Sequence, residues 1–261
     1  MRTSRGLSLI EVLVSIAVLG VVMAAVIQIF TSTMRVSADV NAQNTILHEG
    51  QIALQLVTAR LNEALYIVPS GTPLALSTTN NDITANTLGT AVSQSWTVGT
   101  DPLLALVLPP EDGDAGVVCA STAPTTACPR FFAYYPIKRS AYLNSSLPSA
   151  LKPDPSAGND ASTWMLMEYR GTFTSPLPAQ MTESDFTSHF SQVQNETAQL
   201  VVDYVQPQTT APAYTLFSSD VADRSVTFRL RMLQAVRGKD KGVSEFGSKP
   251  LEIKVYPRNW N

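Results

Sequence analysis

Cysteine is nearly missing from this 261-residue chain, with Cys119 and Cys128 the only two. That excludes a disulfide-rich scaffold and, without a further Cys/His pair, the usual structural zinc site. Histidine is as scarce, at His48 and His189, and neither stands beside a nucleophile motif. No G-x-S-x-G, Walker A, H-E-x-x-H or G-x-G-x-x-G occurs, so the sequence reads as non-enzymatic and asks for no cofactor and no metal. Glu111-Asp112-Gly113-Asp114 offers carboxylate oxygens but lacks the remaining EF-hand positions, and reads as a solvated turn. Charge is also sparse. Charged residues make up 15% of the chain, 18 Lys and Arg stand against 21 Asp and Glu, and the formal charge is −3. The basic residues are scattered, which disfavours nucleic acid as a partner, because a phosphate-binding groove needs them clustered and interleaved with stacking aromatics.

What the chain has in excess is an apolar run at its start. Met1–Gly6 reads MRTSRG, and Leu7–Phe30 follows as 24 residues with one formal charge, Glu11. At about 1.5 Å per residue a helix of this length spans about 36 Å, enough for a bilayer core. With Arg2 and Arg5 ahead of the run, the positive-inside rule leaves the N-terminus cytoplasmic and the remainder outside. An ordinary secretory signal is one alternative, and Val36-Ser37-Ala38 would suit cleavage, but a signal's apolar region is usually about 7–15 residues. A plain membrane anchor is another. It gives no reason for a carboxylate in the apolar segment, where an acidic group costs up to about 3 kcal/mol at mid-bilayer.

Gly6-Leu7-Ser8-Leu9-Ile10-Glu11-Val12-Leu13-Val14-Ser15 resembles the class III signal of type IV pilins and pseudopilins. The likeness joins a short basic leader, a Gly immediately before the apolar run, and a Glu five residues into the mature chain if Leu7 is its first residue. It implies that a prepilin peptidase cuts after Gly6 and methylates the amine of Leu7, while the apolar helix stays on the protein. It also implies that Glu11 neutralises the amine of a neighbouring subunit's first residue, since a buried carboxylate is tolerated only beside a compensating cation. Two departures, Leu7 where the family most often has Phe and Gln28 where major pilins often have a kinking Pro, point away from a major subunit. Loss of Arg2 and Arg5 takes the formal charge from −3 to −5.

Beyond Phe30 the pattern becomes amphipathic, with Leu47, Gly50, Leu54, Val57, Leu61, Ala64 and Val68 spaced by three and four as a helix seam. Pro69 and Gly71 stop it, which predicts a nearly continuous helix from about Leu7 to Val68, roughly 90 Å long. Leu103–Leu108, Phe131–Ile137, Trp164–Tyr169 and Leu200–Val205 read as buried strands. Val226, Phe228, Leu230 and Met232 alternate with Thr227, Arg229 and Arg231, and Leu251, Ile253 and Val255 alternate with Glu252, Lys254 and Tyr256, which predicts a pair of strands. The segments Ser70–Asp101 and Asn144–Thr163 are too long for hairpins and read as elaborations of one surface.

The expected architecture is α+β, with a long N-terminal helix packed on an antiparallel sheet, as in the pilin fold. Its parts are a leader (1–6), an apolar helix half (7–30), an amphipathic half (31–69) and a β-rich extracytoplasmic head (70–261). The ending Val255-Tyr256-Pro257-Arg258-Asn259 is similar to those of PilW-type minor pilins and of J-type pseudopilins of type II secretion. By this resemblance the protein is a minor pilin or pseudopilin of the bacterial inner membrane and then of a periplasmic or surface filament. Its implied partners are other pilins through the N-terminal helix, the prepilin peptidase and an inner-membrane assembly platform. The alternative is a pilin-anchored surface binding module, an adhesin or a DNA receptor. The N-in topology places Cys119 and Cys128 in an oxidising compartment, where they pair across Ala120–Ala127, two buried free cysteines being the other reading.

Overall fold

The computed structural model describes residues 9–78, 81–89, 91–110, 128–175, 177, 181–209, 213–236, 239–243 and 250–257. The chain divides into two compact units, Met1–Asn44 and Thr45–Asn261. In chain order the elements are α1 (Leu9–Glu63), β1 (Tyr66–Ile67), β2 (Pro73–Ala75), β3 (Ser95–Thr97), β4 (Leu104–Leu108), β5 (Arg130–Lys138), α2 (Arg139–Leu143), α3 (Ala157–Asp160) and β6 (Trp164–Phe173). They continue with α4 (Glu183–Phe190), β7 (Val193–Val205), β8 (Phe217–Asp220), β9 (Ser225–Leu230), β10 (Met232–Val236), β11 (Lys239–Val243) and β12 (Leu251–Val255). This is the α+β arrangement expected, a long apolar N-terminal helix followed by antiparallel sheet.

A seven-stranded sheet in the order β1-β4-β5-β6-β7-β10-β11 forms the centre of the second unit, with a three-stranded sheet β12-β9-β8 and the pair β2-β3 beside it. The strand readings at Leu104–Leu108, Arg130–Lys138, Trp164–Phe173 and Val193–Val205 agree in place, the last beginning seven residues earlier than expected. Their near-uniform apolarity has a simple cause: both faces of the central sheet are covered. Ala105 and Val107 point into one core with Phe131, Tyr135, Met165 and Trp96. Their neighbours Leu104, Leu106 and Leu108 point into a second core with Phe132, Leu166, Phe228 and the end of α1. Period-two alternation is therefore invisible in hydrophobicity, as in any sheet buried on both sides.

The reading of 70–101 as surface elaboration is corrected. Leu74, Leu76, Ile83, Trp96 and Val98 are buried in the first core. Three polar groups tie this segment to the sheet and to itself: Trp96 Nε1 donates to Thr84 O at 2.8 Å, Tyr135 Oη to Ile83 O at 3.0 Å, and Tyr169 Oη to Ser77 O at 3.0 Å. A few widely spaced apolar side chains, diluted by Ser, Thr and Asn, suffice to make a layer.

The strands 226–232 and 251–255 do pair, as β9 and β12, with Arg229 opposite Glu252 and their side chains in contact at 2.9 Å. The first of them ends sooner than expected. Arg231 breaks it from β10, where the chain passes from the three-stranded sheet to the seven-stranded one, and Arg231 is 5% exposed rather than on the solvent face.

The helix ends at Glu63, five residues before the expected stop, because Tyr66–Ile67 pairs with Leu106–Val107 of β4. Its seam is rotated too: Ile46, Gly50, Ala53, Val57 and Leu61 are the buried residues, while Leu47 and Leu54 are half-buried. Gly50 permits the closest approach. A Cβ there would lie 3.3 Å from Leu251 Cδ1 and 3.4 Å from Met232 Cγ. Leu251 Cδ1 ends a flexible side chain and Met232 Cγ needs to give by only a few tenths of an ångström, so Gly50→Ala should change stability by no more than about 1 kcal/mol, the contact offset by better helix propensity. Gly50→Leu overpacks the same place and should cost about 2–3 kcal/mol, as read from urea unfolding of the purified protein.

Candidate assembly segment

Up to Phe30, α1 is apolar on nearly every side. From Leu9 to Phe30 its residues are exposed, including Leu9 at 82%, Ile10 at 71% and Val21 at 71%. It is long and apolar enough to cross a membrane. The few hydroxyls on it are turned inward: Ser15 Oγ donates to Glu11 O at 2.7 Å, Thr31 Oγ1 to Gln28 O at 3.0 Å and Thr33 Oγ1 to Ile29 O at 2.9 Å. Such back-bonding removes donors that apolar surroundings could not satisfy. Glu11 lies in the first turn, where the unpaired N–H groups of the helix favour a negative charge.

The prokaryotic N-terminal methylation motif matches residues 1–27. It supports a type IV pilin-like protein. No curated protein and no solved structure matches the chain. The motif covers the basic start of the chain and most of the apolar run, and it implies processing by a prepilin peptidase, assembly with other pilins and membrane anchoring through the helix.

Of the residues marked in the sequence, Arg2, Arg5, Gly6 and Leu7 lie outside the described residues, and Glu11 lies within them. Cys128 is buried, at 4% exposure, and Cys119 lies outside the described residues, as do Glu111, Asp112 and Asp114. His48 is exposed on α1. His189 sits in α4, its Nδ1 2.7 Å from Asp185 O. That helix lies where the sequence reading assigned no element. Thr182 caps it, its Oγ1 accepting from Asp185 N at 3.2 Å, and the Asp185 carboxylate accepts from Thr182 Oγ1 at 2.7 Å and Thr182 N at 3.0 Å, two bonds that lower the Asp185 pKa. Among the described residues no three His, Cys, Asp or Glu side chains are placed to hold a metal ion.

Sequence reasoning passed over two buried ionic groups in the second unit. Glu168, fully buried on β6, accepts from Tyr134 Oη at 2.6 Å and Gln199 Nε2 at 3.0 Å, and pairs with Arg170. Burial and the adjacent Glu168 carboxylate push the Tyr134 phenol far above its ordinary value. The second group is Arg139 with Asp203. A β-bulge creates it: between Trp164↔Val205 and Leu166↔Val202, β7 carries one residue more than β6, and Tyr204 adopts φ 58°. The extra residue keeps Val202 and Val205 in the same core and brings Asp203 to Arg139. A lone charge inside a strongly apolar strand, as in WMLMEY or LVVDYV, was the available signal for both.

Proposed function

We propose that this protein is a minor pilin or pseudopilin, a non-enzymatic, low-copy subunit of a type IV pilus-like filament, placed in an initiating or tip complex. The observation carrying this reading is a prepilin motif at the head of a helix that is apolar all round and holds one carboxylate in its first turn. The mechanism is exchange of surroundings: the helix faces lipid before assembly and other subunits' helices afterwards, so extraction moves it between two apolar environments. Glu11 sets register by meeting the methylated amine of a neighbour's Leu7. A second unit running from Thr45 to Asn261 is large for a shaft repeat and favours low copy number, and the likeness of the 255–259 ending to PilW-type and J-type subunits agrees with this. The N-terminus is cytoplasmic before assembly, and the β-rich part lies outside the inner membrane.

Mass spectrometry of membrane-extracted protein tests the reading. The expected mature chain begins at a methylated Leu7, and one beginning near Asp39 would restore an ordinary secretory signal and sink the pilin assignment.

Cys119 and Cys128 should form a disulfide in the exported protein. In the chain-entropy model a loop of about ten residues contributes roughly 2.5–3 kcal/mol. Alkylation under native and denaturing conditions without reductant should label neither cysteine, and free thiols in the purified protein would refute the pairing.

A further inference from the structure

Two sheets end against the same groove. Among the described residues β1 is an end strand of the seven-stranded sheet and β8 an end strand of the three-stranded one, each paired on one side only. An end strand presents backbone N–H and C=O groups to whatever lies beside it. Two cavities lie there. One, of about 230 Å³, is lined by Tyr66, Ile67, Glu183 and Ser219 together with further residues, and the other, of about 190 Å³, by Ile67, Leu104, Phe217, Ser219 and their neighbours. They adjoin through Ile67, Val68, Ser70 and Ser219, which line both. Every lining residue is among those described and belongs to the unit Thr45–Asn261.

The lining divides by chemistry. Leu104 and Phe217 are buried and apolar, whereas Ser219 on β8 is exposed. The end formed by Tyr66 and Glu183 is acidic. Glu183, exposed at the start of α4, accepts from Thr72 Oγ1 at 3.1 Å through one carboxylate oxygen. Tyr66 is 4% exposed, and its hydroxyl makes no hydrogen bond among the described residues, a state that is costly until an acceptor arrives. Burial and the nearby carboxylates of Glu183 and Asp185 hold its pKa above the ordinary phenol value, so it keeps its proton and remains a donor. An occupant that completes this end brings an acceptor for Tyr66 and a cation for Glu183.

We propose that the groove takes an extended segment of a partner polypeptide, which adds to the edge of β8 beside β1 and places a lysine or arginine against Glu183. A peptide backbone supplies both what a strand edge needs and a carbonyl for Tyr66. Charge complementarity selects the sign: the chain carries a formal −3, and carboxylates at the groove attract a basic segment and repel a phosphate backbone. The site stands whether or not the chain assembles into filaments.

The test titrates full-length protein in detergent micelles into the fluorescein-labelled peptide Thr-Val-Thr-Lys-Thr-Val-Thr and follows anisotropy, with protein-free micelles as the baseline. The parent should bind, and affinity should fall as salt rises. Replacing the peptide's lysine with glutamate should weaken binding about tenfold or more. Of two peptides N-methylated at every second amide, in one register and in the other, one should lose binding, because a strand turns alternate N–H groups toward its partner. Glu183→Gln should weaken binding of the lysine peptide about five- to tenfold, and Tyr66→Phe about two- to fivefold. Ser219→Trp fills the groove from an exposed position and should abolish binding, with unchanged thermal unfolding showing that each variant is folded. No binding by the parent, or equal binding by Ser219→Trp, overturns the site. Equal binding of both N-methylated peptides overturns strand addition, and equal binding by Glu183→Gln overturns the cation contact. Free N-acetyl-lysine amide that competes as well as the peptide overturns the polypeptide occupant in favour of a small amine.

Discussion

Glu11→Val should be inserted and cut after Gly6 as well as the parent, and yet fail to enter filaments. Insertion should even improve, since the substitution removes the one formal charge in the span Leu7–Phe30. On the proposed reading the peptidase recognises the Gly6 junction, five residues upstream, rather than this carboxylate. On the same reading the loss is the counter-charge for a neighbour's buried amine, and breaking one side of a buried pair costs about 3–5 kcal/mol, a factor of hundreds or more in an assembly equilibrium. Glu11→Asp should fall between, keeping the charge on a shorter arm. The measurement is a filament count together with the amount of cleaved, membrane-retained protein, in cells carrying each variant as the only copy. If Glu11→Val assembles like the parent, the carboxylate is no register device and the protein is better described as an anchored head.

The N-terminal methylation motif was legible because its signal is local. Two arginines, a Gly, a long apolar run and one Glu follow closely along the chain, and no tertiary contact is needed to recognise them. The central strands were legible for a related reason, each being a short apolar run bounded by Pro, Gly or Asp. The layer over the first core was hidden because Leu74, Leu76, Ile83 and Trp96 are separated by polar residues at no fixed period, and only docking on β5 and β6 reveals that they are buried. Helix α4 left a weak trace in Thr-x-x-Asp at 182–185, an acid one methylene short of the usual Glu. The approach of Arg60, Arg130 and Arg170 to the Phe132 ring left none: cross-strand register and the end of α1 bring them together, and neither can be read from spacing along the chain. The same holds for the β7 bulge, which moves Asp203 out of the alternation that its neighbours imply.

Replacing Arg139 with Met should be the most damaging single change in the second unit, and its cost should grow as pH rises. Arg139 is fully buried. Its Nε lies 3.1 and 3.0 Å from the two carboxylate oxygens of Asp203, its Nη2 donates to Asp154 O at 3.0 Å, its Nη1 pairs with Asp160, and its guanidinium lies over the Tyr204 ring at 5.3 Å. It therefore joins the start of α2, the bulged β7 and the 154–160 segment at one point. Removing it leaves Asp203, only 7% exposed, without its cation, for which about 3–5 kcal/mol is typical at neutral pH. Burial already raises the Asp203 pKa above its ordinary value, against the lowering effects of Arg139 and the Tyr204 N–H. Without Arg139 it rises further. Above the ordinary carboxylate pKa the folded variant then holds a proton that the unfolded chain has released, so stability is greatest at acid pH and falls as pH climbs to the raised folded value, by up to about 1.4 kcal/mol per unit. Urea unfolding at intervals between pH 4 and 8 reads this slope. Adding Asp203→Asn should flatten the profile and recover part of the loss, because the carboxyl that must stay protonated is gone. A loss of stability that is the same at every pH, or that Asp203→Asn deepens, would mean that Arg139 acts through its contacts to Asp154, Asp160 and Tyr204 rather than through Asp203.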